Sequence, residues 1–131
     1  MKRTFIFTII GIAIVFFCFI LAMRIWIGHD VKEHINIAKK QYSGIAEDAL
    51  IAFLLDKSNS TYDRSQVAIW TLGQIRSKKA LPVLYELYEN DPKGKTCKGK
   101  HGSVLCQYEI HKAIECIENN YWWVSHPGLN K

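Results

Sequence analysis

Nineteen consecutive residues, Phe5 to Met23, carry no charge and little polarity beyond Thr8 and Gly11. No other feature narrows the possible folds as much, because so apolar a stretch must satisfy its backbone internally and keep its side chains from water. As a helix it spans roughly 30 Å, the thickness of a bilayer's hydrocarbon core. Lys2 and Arg3 supply the basic start that a secretory signal also has. The run is longer than an ordinary signal core, however, and no small-x-small cleavage site follows it. Val15, Phe16 and Phe17, ahead of Cys18, are too bulky for a lipoprotein signal. The stretch reads as an uncleaved single-pass anchor, residues 1–28, crossing the membrane through Phe5 to Met23.

Charge excludes one class of partner. The formal charge is +5, from 17 basic and 12 acidic residues, but Lys2, Arg3 and Arg24 belong to the anchor. The remaining 14 against 12 leave +2, too little to argue for nucleic acid. The short basic tail resists translocation, which favours a cytoplasmic N-terminus and an extracytoplasmic remainder in an inner or plasma membrane. Lys32, Lys39 and Lys40 on the far side weaken that asymmetry.

About a hundred residues then have to make one small core. Val31, Ile35, Ala38 and Tyr42 recur at helical spacing, predicting a juxtamembrane capping helix over 29–44 that either continues or restarts the anchor and stops at Ser43-Gly44. Ile45 to Asp56 is a second helix, with Ala49, Leu50, Phe53 and Leu54 on its apolar stripe. Ser60 and Asp63 form a weak capping box for the helix that follows. From Ser65 to Tyr88 two further amphipathic helices are joined by a tight turn. Arg64, Ala68, Thr71, Leu72 and Ile75 make the first stripe, and Ala80, Leu81, Leu84, Leu87 and Tyr88 the second. Ser77 is placed to cap the second helix, and Pro82 is tolerated in its first turn.

The chain also aligns with itself. Glu47 to Asn59 lies over Lys78 to Asn90 at an offset of 31, and Ser65 to Ile75 lies over Gln107 to Ile117 at an offset of 42. The difference, 42 − 31 = 11 residues, is an insertion that falls in 91–102. The pattern predicts an all-α chain: a transmembrane helix, then a two-unit helical repeat over 45–120, then an aromatic tail, 121–131.

The run RSQVAIWTLGQIRSKKALPVLYEL resembles a HEAT-type repeat of the bacterial, lyase-like subclass. Leu72-Gly73-Gln74-Ile75 and Ala80-Leu81-Pro82 carry the match, which covers Ile45 to Asn119. The resemblance implies a short HEAT-like α-solenoid and binding rather than catalysis, since relatives include scaffolds, adaptors and a few chromophore-attaching subunits. Two units are fewer than such stacks usually need, so the apolar ends require cover from the 31–42 segment, from Tyr121-Trp122-Trp123, or from another protein.

Candidate chemistry is sparse. Gly94-Lys95-Thr96 imitates the end of a phosphate-binding loop, but Glu89 stands where that motif needs glycine. Lys93, Lys95, Lys98 and Lys100 read as a solvated loop, with no aromatic residues interleaved for base stacking. Cys97, His101, Cys106 and Cys116 lack the close ligand pairs of a zinc site. Cys97 and Cys106 are the sterically easy disulfide in a periplasmic or lumenal setting, all being thiols in a reducing cytosol, whereas Cys106 and Cys116, about 15 Å apart along one helix, cannot bond. Cys116 is then a buried thiol and Cys18 a packing residue. His111 and Glu115 are a surface pair, and His29, His34 and His126 have no nucleophile or base beside them. The expectation is therefore no enzyme, no cofactor and no metal, but a membrane-anchored module that binds another membrane-associated protein, with Trp70 as partner-binding candidate. Trp70 lies about 200° around its helix from Ala68, off the apolar stripe, and its counterpart in the second unit is Lys112, so it either anchors a partner or packs against the Val31 to Tyr42 cap. A thiol or metal site built around Cys97 and Cys106 is the alternative.

Overall fold

The computed structural model describes residues 2–100, 102–119 and 129, and every regular element among them is helical. Helix α1 (Lys2–Gln41) is one unbroken rod of 40 residues, with no interruption where the anchor and capping segments meet. Its two halves differ in surroundings. Phe7, Val15, Phe16 and Phe17 are exposed and touch nothing that hides them, whereas Val31 and Ala38 are 0 % exposed in the core. The helix is thus long and apolar enough to cross a membrane at one end and a structural member of the fold at the other.

Helix α2 (Ala46–Leu55) follows a turn at Gly44, whose φ of +123° suits glycine. Ala46, Ala49, Leu50, Phe53 and Leu54 are its buried face. The central helix comes next: α3 (Thr61–Asp63), a π-helical stretch Arg64–Ile69 and α4 (Trp70–Gln74) run on without a break. Its start is capped as the sequence suggests, with the Asp63 amide donating to Ser60 Oγ at 3.0 Å and that hydroxyl donating to the Asp63 carboxylate at 2.6 Å. In the π-helical stretch the Trp70 amide bonds back five residues to the Ser65 carbonyl. One extra residue in a turn rotates everything beyond it by about 100°, so a single 3.6-residue stripe cannot describe this helix. Val67, Ile69, Gly73 and Gln74 are buried along with Ala68, Thr71, Leu72 and Ile75, because α1, α2 and the last helix enclose it from several sides. Arg64, on the expected stripe, reaches out instead and donates to the Leu54 carbonyl at the end of α2, 2.7 Å away.

Two contacts orient α1 against the central helix. Asn59 donates to the Tyr42 hydroxyl at 3.0 Å, and His34 Nδ1 lies 3.0 Å from Thr71 Oγ1. As α1 advances from 34 to 42, its neighbour recedes from 71 to 59. The pair is antiparallel, and the turn after the central helix points back toward the apolar end of α1.

That turn holds Arg76 in a left-handed conformation, φ +53°. Ser77 does not cap the next helix with its side chain: its hydroxyl is buried without a partner, and a 3-10 turn, Lys78–Ala80, makes the start through the Ala80 amide and Ser77 carbonyl. Helix α5 (Leu81–Leu87) then carries Pro82 in its first turn. It ends at Leu87, one residue short of the expected Tyr88, and the buried Gln107 side chain takes up both the Leu87 carbonyl and the Glu89 amide, with Asn90 just beyond at a φ of +56°. Helix α6 (Gln107–Asn119) thus starts beside the end of α5 and returns antiparallel to it, Tyr88 stacking on His111 and Tyr85 donating to Glu118. Irregular chain, 88–106, occupies the end of the molecule away from the anchor. Leu129 packs on the core; Tyr121-Trp122-Trp123, His101 and His126 lie outside the described residues.

Candidate functional site

The π-helical turn and α4 face α6 across a groove of about 230 Å³. Their approach is close because Gly73 has no side chain: a Cβ there would sit 3.1 Å from Ala113 Cα. Gln66 and Trp70 line one wall, Glu109 and Lys112 the other, with Gln74 and Cys116 deeper. Trp70 and Lys112, matched by the internal repeat, therefore meet across one groove.

Trp70 also has a structural neighbour. Its ring stands edge-on to His34 of α1, centroids 5.4 Å apart, and is half-buried against the core. Without the π-helical turn this ring would be rotated off both the groove and α1. Gln74 is 4 % exposed and its Oε1 has no hydrogen-bond partner, so the groove is lined by an unsatisfied acceptor. Lys112 lies over the Tyr108 ring at 5.1 Å. The groove thus offers an indole face, an acceptor and charges of both signs, which is chemistry suited to binding.

The cysteines are divided between two places. Cys97 and Cys106 sit at disulfide distance, Cα atoms 5.0 Å apart, joining the irregular segment to the foot of α6 as the sequence predicts. Cys116 is a free, buried thiol, and burial pushes its pKa up to about 11 despite Lys112 and Arg76 nearby. It is protonated at neutral pH and so not a nucleophile or ready metal ligand. A cluster the sequence does not single out is His29, Asp30 and Glu33, one turn of α1 whose ligand atoms lie within 4.8 Å of one another. It is a largely solvent-facing group just beyond the apolar run.

Two networks pin the elements that hold the groove. Tyr42 donates to Asp56 at 2.6 Å, and that bond is the main reason the Asp56 pKa falls to about 2. His34 is held below its ordinary value by burial, against the opposing pull of Asp30 and Glu33. For a histidine depressed in this way the unfolded chain binds more proton between pH 6.5 and the folded value. Stability therefore drops as pH falls through that interval. Urea midpoints measured at pH 7.5 and 5.5 should show the drop, and His34→Gln should flatten it while keeping a polar partner for Thr71.

Comparison with protein-family models, curated proteins and solved structures finds no match to this chain.

Proposed function

We propose that this chain is a single-pass membrane protein whose helices form a short HEAT-like stack, and that it works as an adaptor or accessory subunit binding a membrane-associated protein at the Trp70 groove. One observation carries the reading: α1 is exposed and apolar over one half and fully built into the core over the other, without a break. An anchor continuous with the core holds the binding surface at a set height. His34, beside Trp70, is 11 residues beyond Met23, or about 16 Å of helix. That is just above the headgroups, where membrane proteins are within reach and soluble ones have no advantage.

The stacked arrangement is supported by the pairing of helices. α2 lies on the π-helical stretch, α5 on α6, α4 on α6, and α2 is tied to the start of α5 by the Asp48–Lys79 ion pair. With α1 covering one side, two units need less cover than a free-standing pair.

A photo-crosslinking residue placed at Gln66, exposed on the groove's edge, tests the reading in native membranes, with Lys57, exposed in the loop before the central helix and outside the groove, as control. Gln66 should give a discrete membrane-protein adduct that Lys57 does not. Trp70→Ala should abolish it at a stability cost of about 2 kcal/mol, less than a full core truncation because the ring is only partly buried. Identical adducts from both positions, or none, would count against the groove. In the same cells, Ser58→Cys should react with a membrane-impermeant thiol reagent if the helices are extracytoplasmic; labelling only after permeabilisation reverses the orientation.

A further inference from the structure

The irregular segment at the end away from the anchor is built rather than loose. Successive turns close through Gly94 N to Asp91 O, Cys97 N to Gly94 O, Lys100 N to Cys97 O and Ser103 N to Lys100 O, all between 2.9 and 3.3 Å. Asp91 accepts from the Thr96 amide at 2.8 Å and the Thr96 hydroxyl at 2.9 Å, and these bonds hold its carboxyl below the usual range. Gly94, φ +60°, is pressed so close that a Cβ would lie 2.8 Å from Tyr108 Cβ and 3.0 Å from Cys97 Sγ. The pair Cys97–Cys106 closes the segment onto α6.

This scaffold displays Lys93, Lys95, Lys98 and Lys100, all exposed. Among the described residues none of the four has an ion-pair partner. Asp91, the segment's own carboxylate, is spent on the turns. Lys93, Lys95 and Lys98 rim a hollow of about 500 Å³ with Gly94, the two cysteines and Tyr108 as its floor and Glu109 at one side, and Lys100 is exposed two residues further along the chain. An apolar floor under a cationic rim is unlike a phosphate site: there is no arginine fork, and the turn amides are already bonded to carbonyls. The start of α6, where Glu109 shares a groove with Gln66, lies toward the Tyr42 end of α1 and not toward its apolar run, which argues against the protein's own headgroups as the ligand.

We propose that this hollow docks an acidic peptide segment of a partner protein, an apolar side chain seated on the disulfide and Tyr108 and flanking carboxylates paired with the lysines. The inference stands apart from the Trp70 groove and shares with that reading only the anchored geometry. Each exposed ion pair is weak, so binding is modest and salt-sensitive, and the closed loop reduces the ordering cost of gathering four lysines.

The test uses the full chain in phosphatidylcholine nanodiscs and a fluorescein-labelled 12-residue peptide of alternating glutamate and leucine, followed by anisotropy. Binding should weaken about tenfold between 50 and 300 mM salt. Reversing all four lysines to glutamate should abolish it, and replacing all four by glutamine, a gentler change should the first disturb folding, should cut it at least several-fold. Trp70→Ala should leave it unchanged, which separates this site from the groove. Reduction of Cys97–Cys106 should weaken binding with helicity retained. Equal binding by the glutamine variant, equal binding of a serine-leucine peptide, tighter binding of polyphosphate of matched charge, or no binding up to 1 mM peptide would each overturn the proposal.

Discussion

Val31→Asp should unfold the helical bundle while leaving the apolar run of α1 able to insert in a bilayer. Val31 is 0 % exposed and lies on the half of α1 that belongs to the core. An aspartate there must be buried ionised without a partner or protonated against its preference, at a cost of several kcal/mol either way. A domain of this size is stable by only about 5 to 15 kcal/mol, so the substitution removes much or all of its margin. Lys32→Asp, one residue on and exposed, should change stability by less than about 0.5 kcal/mol. Proteolysis of both variants in detergent measures the contrast: the bundle of Val31→Asp should be digested down to a protected apolar helix. Equal resistance of the two would mean that α1 is not part of the core.

Gly73→Val is expected to be nearly as damaging, at about 3 kcal/mol, by forcing α4 and α6 apart. On an exposed helix, replacing glycine by alanine gains about 1 kcal/mol from propensity. At this crossing a single Cβ already meets Ala113 Cα at 3.1 Å and Ala113 Cβ at 3.3 Å, tighter than ordinary contact, so Gly73→Ala should gain nothing and lose up to about 1 kcal/mol. The two positions should couple. Ala113→Gly costs about 1 kcal/mol alone, but should make Gly73→Ala tolerable by opening the space the new methyl needs. Urea unfolding of the four members of that cycle gives the coupling directly, and strict additivity would show that the helices do not touch there.

The helices were readable because 3.6-residue spacing survives in Ala49, Leu50, Phe53 and Leu54, and again in Ile110, Ala113, Ile114 and Ile117, each set burying one face. That Cys97 and Cys106 come within disulfide distance was readable for a related reason: they are nine residues apart across a turn-rich stretch, while Cys116 is carried away along a rigid helix. What depends on a long-range neighbour was not. No local pattern marks the wide turn at Arg64–Ile69, since its cost is repaid by burial against three helices. Ser77 has the composition of a cap, yet its hydroxyl is enclosed and the backbone makes the turn without it. Leu87 and Tyr88 fit a continuing stripe, but Gln107, 20 residues on, claims the Leu87 carbonyl and ends the helix. Trp70 follows the same rule. Its distance from the stripe was visible, whereas its placement between His34 and Lys112 needed both the extra residue of the π turn and the path of α1.

The central claim is that one uninterrupted helix is both anchor and core. Hydrogen exchange of the full chain in lipid nanodiscs measures this amide by amide. Residues 24 to 41 should exchange slowly, at rates approaching those of Leu50 and Leu72 in the core, with no fast stretch between the apolar run and Val31. Rapid exchange confined to 26–32 would reveal a hinge and contradict the account, because the helices would then swing free of the membrane and no surface on them could be held at a set height.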